Sequence, residues 1–216
     1  MQKDLGLIGT VARFKPVHNG HAAMLESMCE RADRVIIGLG SANRYNAKNP
    51  FTPQESREMI ETILSPRFSN FSFIEVPDLD NGPRWREMVK GLYGNLHHFV
   101  VENDYVQSLL KDDYSLILPV TLVPVERRVP LSATMVRRAM AMAGPWESMV
   151  PLPVASYIKD RSLDARFRQE FGLATLALAG IEYFQEIQSV KAASLKAVNV
   201  KAASPNSETQ DDGGSR

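Results

Sequence analysis

The segment RFKPVHNGH (13–21) gathers the groups with the most chemical potential in the chain. His18 and His21 stand three residues apart with Gly20 between them. On the first turn of a helix, residues at i and i+3 share a face, so both imidazoles can point into one crevice. Gly20 lets the backbone approach a phosphate closely. Pro16 restricts the entry, and Asn19 is a candidate cap for the helix that follows. Two other readings compete. A paired-histidine metal site would need a third ligand and lacks the HExxH spacing. A single structural histidine is the plainer alternative.

The distribution of acids favours contact with an anion. Residues 5–25, 34–54 and 127–146 contain no Asp or Glu. The first stretch holds Arg13, Lys15, His18 and His21; the second Arg34, Arg44 and Lys48; the third Arg127, Arg128, Arg137 and Arg138. Lys+Arg and Asp+Glu both number 25, so formal net charge is zero and a polycation that coats nucleic acid or an anionic membrane is excluded. A neutral chain that keeps carboxylates out of three such stretches is shaped for a phosphate-rich ligand.

The positioning elements follow from alternating patterns. Residues 5–11, 34–40, 71–76, 97–102 and 115–123 read as strands, the last at an edge because of Pro119. Helical spacing marks 20–32, and Thr52, Pro53 and Glu55 form a capping box with Pro at the first helical position. Ser132 is placed to cap a helix that runs to about Ala143, ended by Gly144 and Pro145. Repeated strand–helix units predict an α/β fold: a doubly wound parallel sheet of about five strands. In such sheets ligands bind beyond the strands' C-terminal ends, where the three acid-free stretches fall. His97 and His98 lie in a strand-like run and read as structural, and Cys29 lies on an apolar helix face and reads as core.

Residues 1–161 form the expected main domain, 162–188 a C-terminal helical extension and 189–216 a low-complexity tail expected to be disordered. The pentapeptide VKAAS occurs at 190–194 and again at 200–204. Cys29 has no partner for a disulfide, Asp4 and Gly6 interrupt any signal peptide, and no apolar run reaches the roughly 20 residues that span a bilayer. A cytoplasmic protein with no membrane partner is expected.

Three further blocks carry a resemblance. They are GSANRYNAKNPFTPQESREMI (40–60), PDLDNGPRW (77–85) and LSATMVRR (131–138). Together with RFKPVHNGH and in this order, they resemble the HxGH nucleotidylyltransferases, in particular the archaeal-type nicotinamide-mononucleotide adenylyltransferases, over about residues 4–160. The resemblance implies a Rossmann-like sheet and transfer of AMP from ATP to nicotinamide or nicotinate mononucleotide, with release of pyrophosphate. It implies Mg²⁺ bridging the ATP phosphates through mostly water ligands, and a homo-oligomer. Positioning and charge stabilisation then suffice, with no enzyme nucleophile. Another phosphorylated acceptor, or a nucleotide sensor that has lost catalysis, is the alternative.

By the same resemblance His18, His21 and Arg137 serve the transition state. Arg13, Phe14, Lys15, Gly20 and Asn103, with Ser132 and Thr134, meet ATP. Ser41, Lys48, Asn49, Arg57, Asp78, Asp80 and Trp85 meet the acceptor. Plain readings stand beside several of these: Arg57 as a partner of Glu61, Asp78 and Asp80 as turn formers, Trp85 as a core anchor and Arg138 as a solvated face. Ala12 and Ala133 depart from the pattern, which favours Gly before Arg-Phe and Ser or Gly in the last block.

Overall fold

The computed structural model describes residues 3–178 and 180–181. Among them, five parallel strands form one sheet in the order β3-β2-β1-β4-β5. The strands are β1 (Leu7–Ala12), β2 (Arg34–Gly40), β3 (Phe71–Val76), β4 (His98–Val100) and β5 (Leu116–Ile117). The chain lays β2 and β3 to one side of β1, then returns to place β4 on the other. This reversal opens a crevice at the C-terminal ends of β1 and β4.

Alternation along β2 shows how the two faces are filled. Val35, Ile37 and Leu39 join the larger core, which also takes residues of α1 (Asn19–Arg31), α2 (Pro53–Leu64), α6 (Ala133–Ala141) and α7 (Leu152–Asp160). Ile36 packs with the second core, built on Val89 and Tyr93 of α3 (Gly82–Tyr93) and Leu110 of α4 (Asp104–Leu110). Successive strand side chains point to opposite faces, so this split places helices on both. On the second face Gly9 and Gly38 make room for Tyr93: a Cβ at Gly38 would land on its hydroxyl, which donates to the Thr10 carbonyl at 2.6 Å.

The Thr52 cap forms as expected. The Thr52 hydroxyl accepts from the Glu55 N–H at 3.1 Å, and the Glu55 carboxylate accepts from the Thr52 N–H at 2.8 Å. Two expectations are corrected. The fifth strand ends at Ile117, because Pro119 opens the short helix α5 (Pro119–Leu122) and cannot donate to a ladder. Helix α1 is capped by His18, whose Nδ1 accepts from the His21 N–H at 3.3 Å, while the Asn19 amide donates to the Ser148 carbonyl.

Met1–Leu176 form one compact unit. Its last helix, α8, begins at residue 163 and belongs to the same core through Leu163 and Phe167, the latter fully buried. Arg166 holds the Glu55 carboxylate with both terminal nitrogens, at 2.5 and 2.9 Å, and the Pro50 carbonyl at 3.2 Å. The second unit is Ala177–Arg216, of which residues 177–178 and 180–181 are described, all helical. The expected disordered tail (189–216) and the VKAAS pair lie outside the described residues.

Candidate active site

A cleft of about 950 Å³ opens at the sheet's reversal point. Its size falls in the roughly 300–1,000 Å³ range of small-molecule sites. The N-caps of four helices line it: His18 of α1, Asn81 of α3, Asn103 of α4 and Ser132 of α6. Each cap side chain takes one backbone N–H of its own helix. The remaining free N–H groups and dipole ends converge on a space that favours negative charge.

The two imidazoles meet there. The rings of His18 and His21 stack with centroids 3.7 Å apart and an interplanar angle of 24°. Phe14, fully buried beneath, meets the His21 ring edge-on at 4.9 Å. Burial pulls His18 down to about 4. Burial, and then the neighbouring His18, hold His21 well below the ordinary histidine value, opposed by the Pro16 backbone. Both rings are therefore neutral at pH 7. A Cβ at Gly20 would press the His18 ring at 3.2 Å, so the glycine admits the stacked pair.

Arg137 reaches the same cleft from α6 and is 5% exposed. Its Nη1 donates to the Lys15 carbonyl at 2.9 Å and its Nη2 to the Thr134 hydroxyl at 3.0 Å. The guanidinium is thus pinned between the loop after β1 and the first turn of α6. Arg13, Gly20, Asn103, Ser132 and Thr134 also line the cleft, as do Ser41, Asp78, Asp80 and Trp85. Trp85 is half-buried against the second core and also lines the cleft.

Other candidates lie away from the lining. Lys15 is buried, its ammonium on main-chain carbonyls. Lys48 is exposed, and Asn49 is buried with its amide on Asn46. Arg57 pairs with Glu61 at 2.9 Å and covers the Phe73 ring at 5.3 Å, the plain alternative raised from the sequence. Conversely, Arg127, Arg128, Glu102 and Tyr105 line the cleft without having been singled out for it. The two arginines were visible as part of an acid-free stretch; the tyrosine had no signal beyond its place after Asn103. Arg127 is held by Glu26 and Glu30 of α1.

Outside the cleft, His97 accepts from the Leu7 N–H at 3.0 Å and His98 meets the Ser115 hydroxyl at 3.1 Å. Cys29 is buried in the larger core, which pushes its thiol up to about 12. Among the described residues, no group of three or more His, Cys, Asp or Glu side chains is arranged to hold a metal ion, and no helix is long and apolar enough to cross a membrane.

Fold and cleft together define an α/β protein whose sheet reversal opens a cleft lined by four helix N-caps. The chain belongs to the cytidylyltransferase-like family, whose model matches residues 10–139. A nicotinamide-nucleotide adenylyltransferase from Pyrococcus horikoshii is 36% identical over 154 residues, which cover 69% of this chain and 81% of that one. Two solved structures of a bifunctional NMN adenylyltransferase/ADP ribose pyrophosphatase from Francisella tularensis share the fold. One has a TM-score of 0.66 and 19% identity, covering 86% of this chain; the chain spans 57% of that protein's length. The other, complexed with AMP and a manganese ion, has a TM-score of 0.62 and 18% identity, covering 86% of this chain and 56% of its own.

Proposed function

We propose that this chain transfers AMP from ATP to nicotinamide or nicotinate mononucleotide, giving NAD or its deamido form and pyrophosphate. The observation that carries the reading is the convergence of His18, His21 and Arg137 on one cleft in a chain 36% identical to a nicotinamide-nucleotide adenylyltransferase. An oxygen of the acceptor phosphate attacks the α-phosphorus of ATP. The bond to the bridging oxygen breaks, and pyrophosphate leaves with its electron pair. Atoms balance without a covalent enzyme intermediate, so charge stabilisation is the main task.

Arg137, Thr134 and the first turn of α6 hold the β- and γ-phosphates, Arg137 through the forked geometry suited to phosphate oxygens. His18 and His21 donate to oxygens around the α-phosphorus, with Arg13 at the rim. Gly20 lets the triphosphate lie against the start of α1, and Phe14 supports the rings. Asn103 lies on the adenine side. Trp85 stacks on the pyridine ring, with Ser41, Asp78 and Asp80 around the acceptor's polar groups. ATP enters as its Mg²⁺ complex. Such an ion would offset phosphate charge and, keeping most of its waters, would need no protein cage.

The test is direct. The purified protein, ATP, Mg²⁺ and nicotinamide mononucleotide should yield NAD and pyrophosphate in equal amounts. Absence of both products with a folded protein rejects the reading.

A further inference from the structure

Lys15 sits in the first phosphate-facing loop, yet its side chain is spent elsewhere. The residue is 1% exposed. Its Nζ donates to the Ser41 carbonyl at 2.9 Å and to the Arg44 carbonyl at 3.4 Å. Its own main-chain carbonyl accepts from Arg137. A buried ammonium is costly, and an apolar side chain would fill the space without that desolvation. The turn it holds is unusual as well: Ser41 lies at φ 52, a left-handed conformation that a non-glycine residue keeps only when its surroundings enforce it.

The contacts continue outward from that turn. The Asn43 amide donates to the Asp78 carbonyl at 2.9 Å, and its oxygen accepts from the Asp78 N–H at 2.8 Å. The Arg44 guanidinium pairs with the Asp80 carboxylate and approaches that of Asp78 at 3.8 Å. Asp78 and Asp80 line the cleft, as does Trp85. An unbroken polar path therefore runs from Arg137, through the backbone and ammonium of Lys15, to the 41–44 turn and then to the 78–80 arm.

We propose that Lys15 is a positioning residue that sets the acceptor-receiving arm of the cleft, acting through Ser41, Asn43 and Arg44, and does not itself hold ATP phosphate. The proposal rests on the adenylyl-transfer reading for the identity of the two nucleotides. The ammonium is surrounded by charge. Burial pulls it down to about 8, Asp78 and Glu75 raise it, and Arg13 lowers it.

The experiment measures KM for ATP and for nicotinamide mononucleotide separately in the wild type, Lys15→Met, Arg44→Ala and the double variant. Loss of a charge-assisted hydrogen bond should raise acceptor KM roughly tenfold in Lys15→Met, with ATP KM nearly unchanged. Arg44→Ala should do the same, and the double variant should be no worse than either, because the two act in series. In the wild type, acceptor KM should climb above about pH 8 as the ammonium loses its proton, and Lys15→Met should be flat there. A rise in ATP KM equal to that for the acceptor, additive variants, or an unaltered alkaline limb overturns the proposal. Should Lys15→Met fail to fold, Asn43→Ala and Arg44→Ala carry the same comparison from the solvent side. A wild type with no turnover rejects the activity reading instead, and calorimetric titration of each nucleotide then reads the path without chemistry.

Discussion

His18 holds two jobs in a single ring: its Nδ1 caps α1 and its outer edge faces the cleft. Replacement by Asn keeps a capping acceptor but removes the imidazole, so turnover should fall roughly 10²–10³-fold, as for loss of one transition-state donor, with the melting temperature close to wild type. His18→Ala should lose comparable turnover and about 1 kcal/mol of stability besides. The buried pair also makes stability depend on pH. The unfolded chain takes up protons near 6.5, whereas native His18 resists them until about 4. Stability is therefore full above pH 6.5 and declines as pH falls toward 4, by about 3 kcal/mol for this group. Denaturant titrations across that window should show the slope, and His18→Asn should make it shallower, leaving the part due to His21. That the two imidazoles would share one crevice was legible from their spacing. The placement of the Lys15 ammonium on the Ser41 and Arg44 carbonyls was not, because its charge and loop position resemble those of a phosphate ligand.

At the scale of elements, the most legible features were those with local causes. The capping box at Thr52 and the strand 71–76 follow from side chains within a few residues, and the structure repeats them. Thr52→Ala should cost about 1 kcal/mol, read from urea midpoints at unchanged slope. The last strand was harder. Its apolar run continues past Ile117, but the ladder to β4 holds only Leu116 and Ile117, and Pro119 turns the chain into α5. The cap of α1 was likewise decided by tertiary context: Asn19, the better capping type, is drawn to the Ser148 carbonyl and leaves the role to His18. Arg57, Lys48 and Asn49 share a loop and helix start with Ser41, yet only Ser41 lines the cleft. Sequence proximity to a motif did not reveal which side of the turn each would face.

For the molecule as a whole, the order β3-β2-β1-β4-β5 explains why residues from four separate sequence blocks share one cavity. The main unit also extends further than the motif-bearing blocks. Phe167 lies beyond them, fully buried, stacked on Phe51 of the NPFT segment at 6.4 Å between centroids. Phe167→Ala should cost about 3–5 kcal/mol, measurable by thermal or urea unfolding, a loss as large as at a central strand position. Because Arg166 fastens the same helix to Glu55 and Pro50, weakening α8 should loosen the start of α2 as well, visible as faster amide exchange there.

The stacked, desolvated imidazoles carry a calorimetric consequence. The net negative charge of a bound nucleotide beside neutral rings makes the protonated forms more favourable, so nucleotide binding draws hydrogen ions out of solution. The heat released on mixing then depends on which buffer supplies them: titrations in amine and in phosphate buffers of equal pH should differ by a multiple of the buffers' ionisation enthalpies, and that multiple counts the ions taken up.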